Sequence, residues 1–133
     1  MTIDDLIDNF EFLDSWEDKY RYIIELGEKL PVFNEQFRTE EWKVKGCQSQ
    51  VWLVPQKQSD GHLQFMGDSD AMIVKGLIFI VLTIYNNALP QEIKNLNIEE
   101  IFTKLGLREH LSPSRRNGLE SMINKIRYYA EIL

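Results

Sequence analysis

Few side chains in this 133-residue sequence are equipped for chemistry. It holds one cysteine, Cys47, and two histidines, His62 and His110. A zinc site wants about four Cys or His ligands in paired spacing. These three are scattered, so no metal site is expected. A Cys–His nucleophilic pair needs the two groups within hydrogen-bond reach. His62 falls in an expected hairpin and His110 just before the last helix, and nothing else points to a triad. Both therefore read as surface or cap histidines. Gly46-Cys47 and Gly67-Asp68 carry isolated glycines, far from the phosphate-loop pattern.

Cys47 is the remaining candidate. A lone cysteine is often a small buried hydrophobe, yet this one sits in the polar run Lys43-Val44-Lys45-Gly46-Cys47-Gln48-Ser49-Gln50. Glycine before it permits an unusual backbone turn and close approach of a partner. Lys43 and Lys45 would favour the thiolate, the nucleophilic form, unless they merely alternate outward on a short strand. On local chemistry alone, the inert and the reactive thiol stand level.

The elements that must position Cys47 follow from pattern. Thr2 precedes Ile3, Leu6, Ile7 and Phe10 at helical spacing, with Asp4, Asp5 and Asp8 where the helix dipole favours negative charge. Ser15 and Asp18 resemble a capping box for a second helix, with the stripe Trp16, Tyr20, Ile23, Ile24 and Leu30, stopped by Pro31. Residues 32–41 read as a loop. The period then changes: Gln50–Gln58 and His62–Met66 predict a hairpin around Asp60-Gly61, with Pro55 ending the first apolar run and Gly67 closing the second. Ser69 or Asp70 caps a nearly all-round apolar stretch, Ala71 to Tyr85. It contains Lys75 and is too short for a membrane span, so it should be the buried central helix. Short helical pieces follow Leu89-Pro90 and run through Ile98–Leu105 to Gly106. Ser112-Pro113 opens the last helix, with Leu119, Met122, Ile123, Ile126, Ala130 and Leu133 on one face. The expected class is α+β: a small antiparallel sheet of about three strands against several helices, in one domain spanning 1–133.

Composition narrows the function. With 44% apolar and 27% charged residues, the chain is of ordinary globular make-up. A chain this size buries roughly two thirds of its unfolded surface, enough for one core. Fifteen bases against 21 acids give a net charge of −6, which argues against a general nucleic-acid binder. Residues 1–41 hold 12 acids and 4 bases, whereas 42–133 hold 9 acids and 11 bases. The N-terminal third thus supplies an acidic face, most simply a set of solvated helix surfaces. Met1-Thr2-Ile3-Asp4-Asp5 offers no positive leader, so a soluble protein of a reducing, cytoplasmic compartment is expected.

The run Val44-Lys45-Gly46-Cys47-Gln48-Ser49-Gln50-Val51-Trp52-Leu53 resembles the signature loop of the SufE family, sulfur acceptors that serve cysteine desulfurases. Further segments are similar in the same order: Trp16-Glu17-Asp18-Lys19-Tyr20, Gly67-Asp68-Ser69-Asp70-Ala71 with Ile73-Val74-Lys75-Gly76-Leu77, and His110-Leu111-Ser112-Pro113-Ser114-Arg115 followed by Asn117-Gly118-Leu119. The similarity runs from about Ile3 to Ile132. Some segments look more like SufE proper, whereas Leu105-Gly106-Leu107-Arg108 looks at least as much like the related CsdE type.

The resemblance implies a SufE/NifU-like α+β fold and a sulfur carrier with a cysteine persulfide intermediate, as opposed to an independent enzyme. Cys47 would take sulfur from a desulfurase of the SufS or CsdA type and pass it toward an iron–sulfur scaffold such as SufBCD. It implies no cofactor on this chain, since pyridoxal phosphate would belong to the desulfurase, and no nucleic acid or membrane. A homodimer stays open. Arg115, Gly46, Gln48 and Asp70 become supporting or partner-docking residues. Arg115 would steady a sulfur anion or dock the partner, unless it makes only a local salt bridge. Asp70 is expected chiefly as the cap of the central helix, with a loop-facing role as its alternative. A persulfide needs shelter from oxidation, so Cys47 should be shielded in the free protein, by neighbours such as Val51 and Leu53. The competing readings are a stand-alone thiol-dependent sulfurtransferase or reductase using Cys47, and a binding module in which Cys47 is inert.

Overall fold

The computed structural model describes every residue from Met1 to Leu133. Its helices start where the sequence supplies caps. Helix α1 (Ile3–Phe12) opens on a reciprocal box in which Thr2 and Asp5 each accept the other's backbone N–H. Helix α2 (Trp16–Gly27) opens on Ser15, whose hydroxyl accepts from the Asp18 N–H at 3.1 Å. It stops at Gly27, short of the expected Leu30–Pro31 end. Residues 32–41, read as a loop, hold one single turn of 3-10 helix, Glu35–Phe37, and the start of a second, Glu40–Trp42.

Strands β1 (Val51–Lys57) and β2 (Leu63–Ser69) form an antiparallel ribbon in the register Val51↔Ser69 to Lys57↔Leu63. The sheet has two strands, one fewer than expected. Each edge gains a single bridge, Lys43↔Trp52 on one side and Leu63↔Ala88 on the other. Neither grows, because positive-φ residues turn the chain away just beyond, Gly46 at 89° and Asn87 at 63°. Pro55 does not end β1. It lies opposite Phe65, whose N–H points outward to the Asn86 Oδ1 at 2.8 Å, so the pair exchanges no ladder bonds and the missing donor costs nothing. Gly67 likewise lies inside β2, where a Cβ would come within 2.9 Å of Leu53 and Ile78.

Helix α3 (Met72–Tyr85) is the buried centre, with nine of its residues inside, among them Leu77, Ile80, Val81 and Tyr85. It packs on α2, on β2 and on the last helix. Its approach to α2 depends on two glycines: a Cβ on Gly76 would stand 2.0 Å from the Ile23 carbonyl oxygen, and one on Gly27 would stand 2.7 Å from the Gly76 nitrogen. Helices α4 (Pro90–Asn95), α5 (Ile98–Leu105) and α6 (Leu107–His110) follow, with Gly106 left-handed between the last two. Helix α7 (Pro113–Ile132) starts as expected on Ser112, which accepts from the Arg115 N–H, with proline in its first turn. A core of 29 buried residues runs from Leu6 on α1 to Ala130 on α7. A satellite of Phe33, Trp52 and Val54 is covered by the Arg38 guanidinium, 4.8 Å from the Trp52 ring and 2.9 Å from the Asp68 carboxylate. No helix is long and apolar enough to cross a membrane.

Candidate functional site

Cys47 lies at the tip of a six-residue loop, 45–50, whose two ends are pinned. At one end the Val44 N–H donates to the Val51 oxygen at 2.8 Å, and Val44 is buried. At the other, the Gln50 N–H donates to the Asp70 Oδ1 at 3.0 Å, and the Asp70 N–H returns to the Gln50 oxygen at 3.3 Å. This is a correction to the role expected for Asp70. The central helix is preceded by Ala71 and has no side-chain cap, while the Asp70 carboxylate is spent on closing the cysteine loop. An aspartate can cap a helix or bind a distant N–H with the same lone pairs, and here the β1 end supplies the partner.

The tip is held more lightly. Gly46 takes φ 89°, and a Cβ there would sit 2.6 Å from the Ser121 hydroxyl, so conformation and space both call for glycine. The Cys47 thiol donates to the Gly118 carbonyl on α7 at 3.6 Å, a weak sulfur hydrogen bond. Gln48 accepts from the Ser114 hydroxyl at 2.5 Å. Ser114, Gly118 and Ser121 recur at three- and four-residue spacing, so one face of α7 receives the whole tip.

The sulfur is half-buried and opens on a cavity of about 270 Å³. Ile73, Leu77, Leu119 and Met122 form its apolar floor, and Ser49, Ser112, Ser114 and Arg115 its polar side. The shelter expected for Cys47 is thus present, but α3 and α7 supply the cavity; Val51 and Leu53 do not line it. Burial pushes the Cys47 thiol above its ordinary value, because a thiolate loses hydration there. Lys43 and Lys45 do not offset this in the resting protein: Lys43 turns to Glu40 at 3.7 Å, and neither lines the cavity. Arg115 does line it, half-buried, and its guanidinium lies 5.5 Å from the centre of the Tyr20 ring with no acidic partner in ion-pair range.

The expected residues therefore converge unevenly. Cys47, Gln48 and Arg115 share the cavity, Gly46 shapes the loop from its other flank, and Asp70 anchors its far end. The histidines stay apart: His62 pairs with Asp60 at the hairpin turn, and His110 stacks on Trp16 with ring centres 4.4 Å apart. No three His, Cys, Asp or Glu side chains are grouped so as to hold a metal. A larger cavity of about 530 Å³ lies between the start of α1, residues 30–33, β2 and the second half of α3, but no titratable side chain lines it. Sequence reasoning missed the Gly118 carbonyl and Ser121, since a backbone oxygen has no residue-type signature.

Comparison with known proteins agrees in extent. A family model described as "SufE: Fe-S metabolism associated domain" matches residues 4–130. An uncharacterized SufE-like protein of Rhizobium meliloti is 52% identical over 133 residues, covering 98% of this chain and 95% of that one. Another, of Rhizobium etli, is 52% identical over 134 residues, covering 98% and 90%. The solution structure of a hypothetical protein from Thermus thermophilus aligns with a TM-score of 0.76 over 98% of this chain and 96% of that one, at 18% identity, which speaks for the α+β fold.

Proposed function

Because the chain belongs to the SufE family, whose domain is associated with iron–sulfur metabolism, we propose that it accepts sulfur on Cys47 from the persulfide of a cysteine desulfurase. The Cys47 thiolate attacks the terminal sulfur of the partner's persulfide. A new S–S bond forms on Cys47, the partner's S–S bond breaks, and the partner's cysteine leaves as thiolate. The exchange is redox-neutral and needs no metal and no cofactor on this chain. Pyridoxal phosphate serves the desulfurase, which releases the sulfur from cysteine. The loaded sulfur then passes to an iron–sulfur scaffold, in a reducing cytoplasm where a lone thiol stays free.

One observation carries this reading: the sole thiol of the chain sits at a lightly held loop tip, over a cavity with room for a second sulfur atom. Burial disfavours the thiolate in the resting protein, so attack belongs to a state in which the partner has drawn the tip outward and restored its hydration. Arg115 then offers a permanent positive charge to the sulfur anion. The experiment is mass spectrometry of the protein after incubation with a desulfurase and cysteine. Wild type is expected to gain one sulfur atom on Cys47, removable by a reductant, and Cys47→Ser to fold normally and gain none. Sulfur on the serine variant, or none on wild type, would refute the reading.

A further inference from the structure

Arg115 is held by a ring and by no carboxylate. Its guanidinium lies against Tyr20, while the acids nearest to Tyr20 on α2, Glu17 and Asp18, face Arg21 at 4.0 and 3.9 Å. One turn before Tyr20, Trp16 stacks on His110. Residues four apart share a helix face, so α2 presents two aromatic rings to the corner between α6 and α7, one gripping each side of it.

We propose that Tyr20 is a positioning residue for sulfur transfer, its ring holding Arg115 at the mouth of the Cys47 cavity without cancelling its charge. The proposal rests on Cys47 as sulfur acceptor and on Arg115 as the cation that meets the anion. A carboxylate would also hold the arginine, but its negative charge would oppose the field at the sulfur. An aromatic face attracts the cation through its quadrupole and carries no net charge. Without any tether, a half-buried arginine would spread over many rotamers, and fixing it would cost entropy at each transfer. A neutral tether suits a site with one resident cation and one transient anion.

The test compares rates of persulfide formation on Cys47, with a pyridoxal-phosphate cysteine desulfurase and cysteine. The variants are Tyr20→Phe, Tyr20→Leu, Arg115→Ala and the Tyr20→Leu/Arg115→Ala pair. Tyr20→Phe keeps the ring and should stay within about twofold of wild type, whereas Tyr20→Leu should slow transfer roughly fivefold, as loss of a cation–π contact of this kind predicts. In the double variant, leucine should add nothing to the defect of Arg115→Ala. Tyr20→Gln gives a second removal of the ring if the leucine variant melts early. A leucine defect of equal size with and without Arg115 would make Tyr20 a space-filler and overturn the proposal. Full rate in Tyr20→Leu beside a slow Arg115→Ala would overturn it and leave Arg115 its role. Full rate in Arg115→Ala would overturn both, and absence of persulfide on wild-type Cys47 would remove the functional reading beneath them.

Discussion

At the residue scale, Cys47 stands out because its environment opposes the form of sulfur that reacts. Desolvation raises its pKa, so the pH midpoint of its alkylation should lie higher in the folded protein than in the same chain unfolded in urea. A stopped-flow iodoacetamide titration measures both, and equal midpoints would show that the cavity gives no protection. Gly46 before it and the polar run around it left the residue level between an inert and a reactive thiol, and the resemblance of its loop singled it out. Its surroundings were not legible in the sequence. The Gly118 carbonyl and the floor from α3 and α7 reach the thiol, and the Ser121 hydroxyl reaches Gly46, from positions 26 to 75 residues away in sequence, and no local pattern encodes such pairings.

At the element scale, two contacts govern how loop and helices are set. Asp70, just beyond β2, ties down the end of the cysteine loop at Gln50. Asp70→Ala should remove about 1 kcal/mol of local stability, speeding Cys47 alkylation roughly fivefold at fixed pH with only a small fall in melting temperature. An unchanged alkylation rate would mean that the loop is held by its tip alone. Gly76 fixes the distance between α2 and α3. A methyl group there meets the Ile23 backbone at 2.0 Å, so Gly76→Ala should cost on the order of 3 kcal/mol, read in a urea melt. A loss below about 1 kcal/mol would show that the helices can separate freely. Helix starts at Thr2, Ser15 and Ser112 were readable because caps are local chemistry. The third strand expected is absent, because the chain makes only single bridges at Lys43 and Ala88, cut short by Gly46 and Asn87. The glycine contact of α2 with α3 was not readable, since it depends on which two helices meet.

At the scale of the whole molecule, α7 closes the core over the ribbon through Tyr129, whose hydroxyl donates to the Leu53 carbonyl at 3.3 Å. Burial, with the neighbouring Tyr128 and Glu41, pushes its pKa up to about 12. The folded protein therefore keeps a proton that the unfolded chain releases near pH 10, so stability should fall as pH rises from about 10 to 12. Tyr129→Phe should flatten that decline in urea melts across the range, and an unchanged slope would assign it to other groups, such as Tyr85, which burial also raises. The ribbon that Tyr129 secures is also the fixed mount of the cysteine loop, and this sets a tether length. Cys47 lies three residues beyond Val44, whose N–H is bonded to Val51. A fully extended chain of that length spans only about 10 Å. However far the tip swings, its Cα can sweep no wider radius and the side chain adds only two bonds to it, so the donor must bring its own sulfur close to that short arc. A desulfurase with a deeply recessed persulfide would be out of range unless it, too, carried its cysteine on an arm.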